Sequence, residues 1–330
     1  MKIAILGAGS FGTALAIHLS NNFKNISIWG KNQEIIDEIN IKRSNSTYLK
    51  NTIKLPQNIT GTLNLDEAIN NSKYIILAIP STAIADVSRN LKQLINNSQI
   101  IVNLSKGLDK DSLERLSEII KHNSNTKNVV VLSGPSHAEE IILNLPTTLV
   151  ASSTNINLAE DVQKDFSTDT LRIYTNPDII SVEIGGAAKN IIALASGILE
   201  GLNYGDNSKA ALMTRGIQEI AKIGVTLGGE AHTFAGLSGI GDMIVTCTSK
   251  HSRNKQAGVL LARGYNMSQI ADTIGMVVEG INACRCFYKL SLKLNVELPI
   301  NTAVYNIVFK GYEPKNEIIH LMNRDMRNEF

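Results

Sequence analysis

The chain has 330 residues, 43% of them hydrophobic and 19% charged, which excludes disorder along its whole length and suggests about two domains of ordinary size. Its 32 basic and 30 acidic side chains leave a formal charge of +2, so no overall field recruits nucleic acid or an anionic membrane, and neither is expected as a partner. Three cysteines, Cys247, Cys284 and Cys286, do not make a disulfide framework, and a reducing cytoplasm is the expected location.

Only Lys2 lies between Met1 and the first apolar run, so no signal peptide is expected. The first half alternates short Val/Ile-rich runs with helical patterns, the rhythm of a parallel sheet wrapped by helices. Strands are expected over 2–6, 26–29, 74–79, 100–104 and 129–132, apolar enough to be buried on both faces. Asn176-Pro177-Asp178 is the expected junction, because the residue before a proline avoids the helix and an aspartate can cap the next one. Beyond it the pattern is helical. The stretch 179–199 is the most membrane-like, but it carries Glu183, Lys189 and Asn190. A central lysine alone costs roughly 3 kcal/mol to insert, so a buried core helix is expected and no transmembrane segment.

Gly7-Ala8-Gly9-Ser10-Phe11-Gly12 follows the first expected strand and opens a helical pattern. In that context G-x-G-x-x-G binds a dinucleotide. Gly7 allows the tight turn, Gly9 lets a pyrophosphate approach the backbone, and Gly12 permits close helix–strand packing. The helix start adds N–H groups and positive dipole for the phosphates. An NAD site usually carries an acid at the end of the second strand. Here the sequence is Trp29-Gly30-Lys31-Asn32, with no acid before Glu34. Lys31 can face a 2′-phosphate, so NADP(H) is favoured over NAD(H).

Four further segments carry chemistry. Lys106, in Ser105-Lys106-Gly107, is expected at the carboxyl edge of the sheet, where a cation can meet a phosphate or carbonyl oxygen. Gly134 and Ser136, in Ser133-Gly134-Pro135-Ser136-His137, offer donors to an anion, although serine there is more often a helix cap. Lys189 has Gly185, Gly186, Ala193 and Ser196 on its helical face, small residues that would leave a hollow before it. Burial and nearby cations such as Lys106 would lower its pKa towards neutrality and fit it for proton transfer. Asp242, flanked by Gly239 and Gly241, can hold Lys189. Ser252-Arg253-Asn254 combines a guanidinium fork for phosphate with two neutral donors. No metal-ligand spacing is present, and no metal is expected.

In sequence and order these segments resemble the bacterial type of NAD(P)-dependent glycerol-3-phosphate dehydrogenase, over essentially the whole chain. The resemblance implies an α/β N-terminal Rossmann-like dinucleotide-binding domain (1–178) and an all-α C-terminal substrate and catalytic domain (179–330). It implies dinucleotide contacts from Ser10, Phe11, Lys31, Lys106, Ala138, Arg253, Val277 and Glu279. Lys106, Gly134, Ser136, Lys189, Asp242, Ser252, Arg253 and Asn254 would surround a small phosphate ester. Lys189 would be the proton donor and acceptor, with Lys106 and Asp242 tuning it. The implied reaction is reversible reduction of dihydroxyacetone phosphate to sn-glycerol 3-phosphate, feeding glycerophospholipid synthesis, and a homodimer is the family expectation. Phe11 stands where the family often has Trp and His137 where Phe is common; Lys250 and His251 mark a divergent loop. The competing readings are a hydroxy-acid or ketopantoate-type reductase, whose carboxylate Arg253 could also bind, and a non-catalytic dinucleotide sensor.

Overall fold

In the first strand, β1 (Lys2–Leu6), Ile3 and Ile5 enter one hydrophobic core and Ala4 and Leu6 another, all four fully buried. A strand covered on both faces has no polar side to alternate with, and its sequence runs apolar throughout. The computed structural model describes residues 1–49, 53–326 and 328–329. They fall into two compact units, Met1–Glu183 and Ile184–Phe330.

The first unit is built on an eight-stranded sheet. After β1 come β2 (Asn25–Trp29), β3 (Ile59–Thr62), β4 (Ser72–Leu77), β5 (Ile100–Asn103), β6 (Val129–Ser133), β7 (Thr147–Ser152) and β8 (Leu171–Asn176). Their order is β3-β2-β1-β4-β5-β6-β7-β8. All neighbours run parallel except β6 and β7. The winding direction reverses between β1 and β4. In open α/β sheets such a switch point opens the crevice where ligands bind, outside the carboxyl ends of the strands. One face is closed by a core in which Phe23, Tyr74 and Phe166 meet edge-on, and the other by Ile84, Leu91, Leu116 and Ile120 with their neighbours.

The five expected strands are present, with β4 ending at Leu77 and β5 at Asn103. One further inter-strand bond follows each end, from Ala78 N to the Leu6 carbonyl and from Leu104 N to the Leu77 carbonyl, and beyond these the Ser105 hydroxyl donates to the Ile79 carbonyl. The pattern did not separate β3, β7 and β8. β3 is a four-residue edge strand reading Ile-Thr-Gly-Thr. β8, the opposite edge, buries Leu171 and Ile173 but exposes Arg172 and Tyr174, the half-polar alternation of a strand with one wet face.

The second unit is helical among its described residues. The long helix Ile179–Gly201 is apolar enough by composition to cross a membrane, but 94% of its most apolar window is buried in the protein, as a core helix requires. Its later half meets Arg253–Ala262 at a glycine contact. A Cβ on Gly197 would lie 2.0 Å from the Lys255 carbonyl oxygen, and one on Gly258 2.1 Å from that of Leu194. Only paired glycines allow backbones that close. Glu219, on Asp206–Thr226, accepts from the backbone N–H groups of Ile300 and Asn301 and so caps Pro299–Lys310.

Candidate functional site

The sheet unit presents a dinucleotide cradle at the end of β1. Gly7 has φ +124°, and a Cβ there would strike the Ala78 carbonyl oxygen at 2.3 Å. A Cβ on Gly12 would lie 2.2 Å from the Gly7 oxygen, whereas one on Gly9 would meet nothing within 4 Å. Two glycines thus close the turn and the third leaves open space over the backbone. Ser10 begins the helix Ser10–Leu19, and its N-cap, Gly9, has no side chain to satisfy the first N–H groups. This geometry fits a pyrophosphate. Phe11 packs beside Ala14, Ala138 and Ile141, which brings together Phe11 and Ala138. Lys31 follows β2, exposed, its ammonium 5.9 Å from the centre of the Trp29 ring. Asn32 caps Gln33–Asp37, so its side chain serves the fold.

Further along the sheet edge, Lys106 Nζ donates to the Gly134 carbonyl at 3.0 Å, and the Ser136 hydroxyl donates to the same oxygen at 2.9 Å. Gly134 holds φ +123°, which a side chain would oppose. These three residues form one group at the ends of β5 and β6. Ser136 is no helix cap: the N-cap of Ala138–Ile141 is His137, without a side-chain capping bond.

In the helical unit, Lys189 is 6% exposed and Asp242 1% exposed. The Lys189 ammonium donates to Asp242 Oδ1 at 2.5 Å and to Thr246 Oγ1 at 2.6 Å. The Thr246 hydroxyl donates onward to the Asp242 carbonyl at 2.6 Å. Asp242 and Thr246 are one turn apart on Asp242–Thr248 and share a face. A carboxylate so close favours the ammonium form, opposing the effect of burial. Beside the cluster, burial pushes the Cys247 thiol up to about 12, which leaves it a poor nucleophile.

The small residues around Lys189 do not leave a hollow on every side. A Cβ on Gly185 would meet the Ser238 carbonyl oxygen at 2.8 Å, and the Ser196 hydroxyl donates to the Cys247 carbonyl. Their smallness admits the backbone that carries Asp242 towards the lysine. The helix is pinned at its start within the first unit, where Glu183 accepts from Ser117 N, Ser117 Oγ and Arg115 Nη1.

A second group surrounds Arg253–Ala262. Ser252 caps this helix by accepting from Lys255 N. Arg253, exposed, donates from Nη1 to the Val277 carbonyl at 3.1 Å. Asn254 donates to Asn190 Oδ1 and accepts from Gly280 N, tying the Lys189 helix to Glu279–Leu294, which Glu279 opens. Arg253, Val277, Glu279 and Asn254 therefore lie in one neighbourhood. No group of three or more potential metal ligands is assembled among the described residues.

Family comparisons cover the same ground. The N-terminal description of NAD-dependent glycerol-3-phosphate dehydrogenase matches residues 2–159 and the C-terminal description residues 178–319. The chain belongs to this family. It is 51% identical over 328 residues to the NAD(P)+ glycerol-3-phosphate dehydrogenase of Clostridium acetobutylicum, covering 99% of this chain and 98% of the relative. The crystal structure of the Coxiella burnetii glycerol-3-phosphate dehydrogenase superposes with a TM-score of 0.94 at 33% identity, over 98% of this chain and 99% of that one. A ketopantoate reductase from Ralstonia eutropha JMP134 reaches a TM-score of 0.60 at 13% identity, over 96% and 100% of the two chains; it shares the fold alone.

Sequence reasoning passed over Thr246 in this family member. Its signal was present: a hydroxyl four residues after Asp242 shares the face of the carboxylate. The links from Asn254 to Asn190 and Gly280 left no local signal, because the partners are 64 and 26 residues away.

Proposed function

We infer that the chain catalyses the reversible NAD(P)H-dependent reduction of dihydroxyacetone phosphate to sn-glycerol 3-phosphate. The observation that carries this reading is the buried Lys189 ammonium, fixed by Asp242 and Thr246, in a chain whose sheet unit has an open glycine cradle at its switch point. Gly7, Gly9, Ser10, Phe11, Gly12 and Ala138 hold the dinucleotide, and Arg253, Val277 and Glu279 contribute to its binding. When bound, the reduced nicotinamide supplies a hydride. Lys31 is the cation available at the end of β2 for a 2′-phosphate, which favours NADPH over NADH.

Lys189 donates its proton to the C2 oxygen as the carbonyl is reduced and recovers it in the oxidative direction. Asp242 stabilises the ammonium, and Thr246 fixes the direction in which it points. Lys106, Gly134 and Ser136 orient the polar end of the substrate. Arg253 takes the phosphate with its planar fork, assisted by the N–H groups of the helix it opens. Ser252 shapes that helix start, and Asn254 joins it to the Lys189 helix. The chain works in the cytoplasm as a homodimer, and its product supplies the backbone for glycerophospholipids.

A substrate panel tests the reading. Dihydroxyacetone phosphate is expected to support NADPH oxidation, with ketopantoate and other 2-oxo acids inert. Turnover of a 2-oxo acid in preference to the phosphate ester would move Arg253 to carboxylate recognition and overturn the assignment. Tight dinucleotide binding without turnover of any substrate would leave a sensor.

A further inference from the structure

Within the helical unit, Glu279–Leu294, Pro299–Lys310 and Pro314–Met322 line an open groove of about 420 Å³, a volume suited to a small organic ligand. Neither Lys189 nor Asp242 contributes to it. Leu292, Val296 and Leu298 give apolar walls and Tyr288 an aromatic one.

Glu317 also lines the groove and is 9% exposed. Its Oε2 accepts from Asn306 Nδ2 at 3.0 Å. No cation among the described residues pairs with it. The groove's arginine, Arg324, is committed to Glu297 at 3.3 Å. The Glu317 carboxylate therefore takes its one side-chain bond from a neutral amide, and the groove lining sets two carboxylates, Glu297 and Glu317, against one arginine, with His320 beside them. A carboxylate with oxygen lone pairs facing such a groove is matched by a cation that brings hydrogen-bond donors.

We propose that this groove binds a small aliphatic amine. The ammonium sits against Glu317, and the alkyl chain lies along Leu292, Val296 and Leu298. Glu317 disfavours an anion. A divalent metal needs more hard ligands than one carboxylate, and no group of three or more potential metal ligands is present among the described residues.

Calorimetric titration of the full chain with n-butylammonium chloride tests the proposal, with sodium chloride at equal ionic strength and n-butanol as controls. Wild type is expected to bind the amine saturably and neither control. Glu317→Gln keeps an acceptor for Asn306 Nδ2 and is expected to lose at least about tenfold in affinity, the scale of one charge-assisted bond. Leu292, 67% exposed, tolerates replacement, and Leu292→Lys is expected to weaken binding through repulsion. If Glu317→Gln fails to fold, Leu292→Lys decides alone. No saturable binding to wild type, or equal affinity in the folded variants, overturns the site.

Discussion

Lys189 and Asp242 meet at 2.5 Å in a place where neither side chain is more than 8% exposed. In such surroundings each charge depends on the other, because an unpaired buried ion is costly. Lys189→Ala should lower kcat by about a hundredfold to ten-thousandfold, the range for loss of a positioned general acid. Dinucleotide affinity should be nearly unchanged, since Lys189 is not among the proposed dinucleotide contacts. Steady-state kinetics with dihydroxyacetone phosphate, together with fluorescence titration of NADPH, separates the two effects. Wild-type kcat in the variant would remove Lys189 from proton transfer.

Thr246 makes a smaller and more specific contribution. Thr246→Val keeps the shape and removes both the acceptor for Lys189 and the donor to the Asp242 carbonyl. Loss of one positioning bond of about 1 kcal/mol predicts a fall in kcat of roughly five- to tenfold. KM for the phosphate ester should hold, because Thr246 lies on Lys189 rather than on the proposed phosphate site. An unchanged kcat would reduce Thr246 to a helix-packing residue.

The close glycines predict a stability effect that reaches chemistry. Gly258→Ala places a Cβ where the Leu194 carbonyl oxygen now stands 2.1 Å away, and backbone cannot yield as a flexible side chain can. Overpacking of this kind costs about 1–3 kcal/mol or more. The two helices that must part carry Lys189 and Arg253, so Tm and kcat/KM should fall together. Gly264→Ala is a different control: a Cβ there meets nothing within 4 Å, but its φ of +83° strains the backbone, so Tm should fall with kcat/KM preserved.

The legible parts of the fold and site are those encoded within a few residues. Gly7, Gly9 and Gly12 state their turn locally, and runs such as Ile3 to Leu6 are apolar because both sheet faces are covered. Edge strands β3 and β8 were hidden because one wet face dilutes their apolar content. Gly185 shows a different limit. A small residue that admits a ligand and one that admits another backbone read alike, and here Ser238 fills the space. The Asn254 ties and the Glu219 cap join residues far apart in the chain, and no local pattern carries such pairs.

Glu219 yields a pH dependence of stability. Burial, against the pull of the Ile300 and Asn301 N–H groups, raises its carboxyl from 4.5 to about 7. The folded state then holds the proton more tightly than the unfolded chain, so this residue favours folding at low pH. That advantage diminishes as pH rises from 4.5 through 7 and is flat above. A shift of this size corresponds to roughly 3–4 kcal/mol at the outside, since each unit is about 1.4 kcal/mol. Glu219→Gln keeps an acceptor and cannot ionise. Its stability relative to wild type should therefore improve between pH 5 and pH 8, read by urea unfolding at each pH. A constant difference between the two proteins would show that Glu219 titrates at an ordinary pH despite its burial.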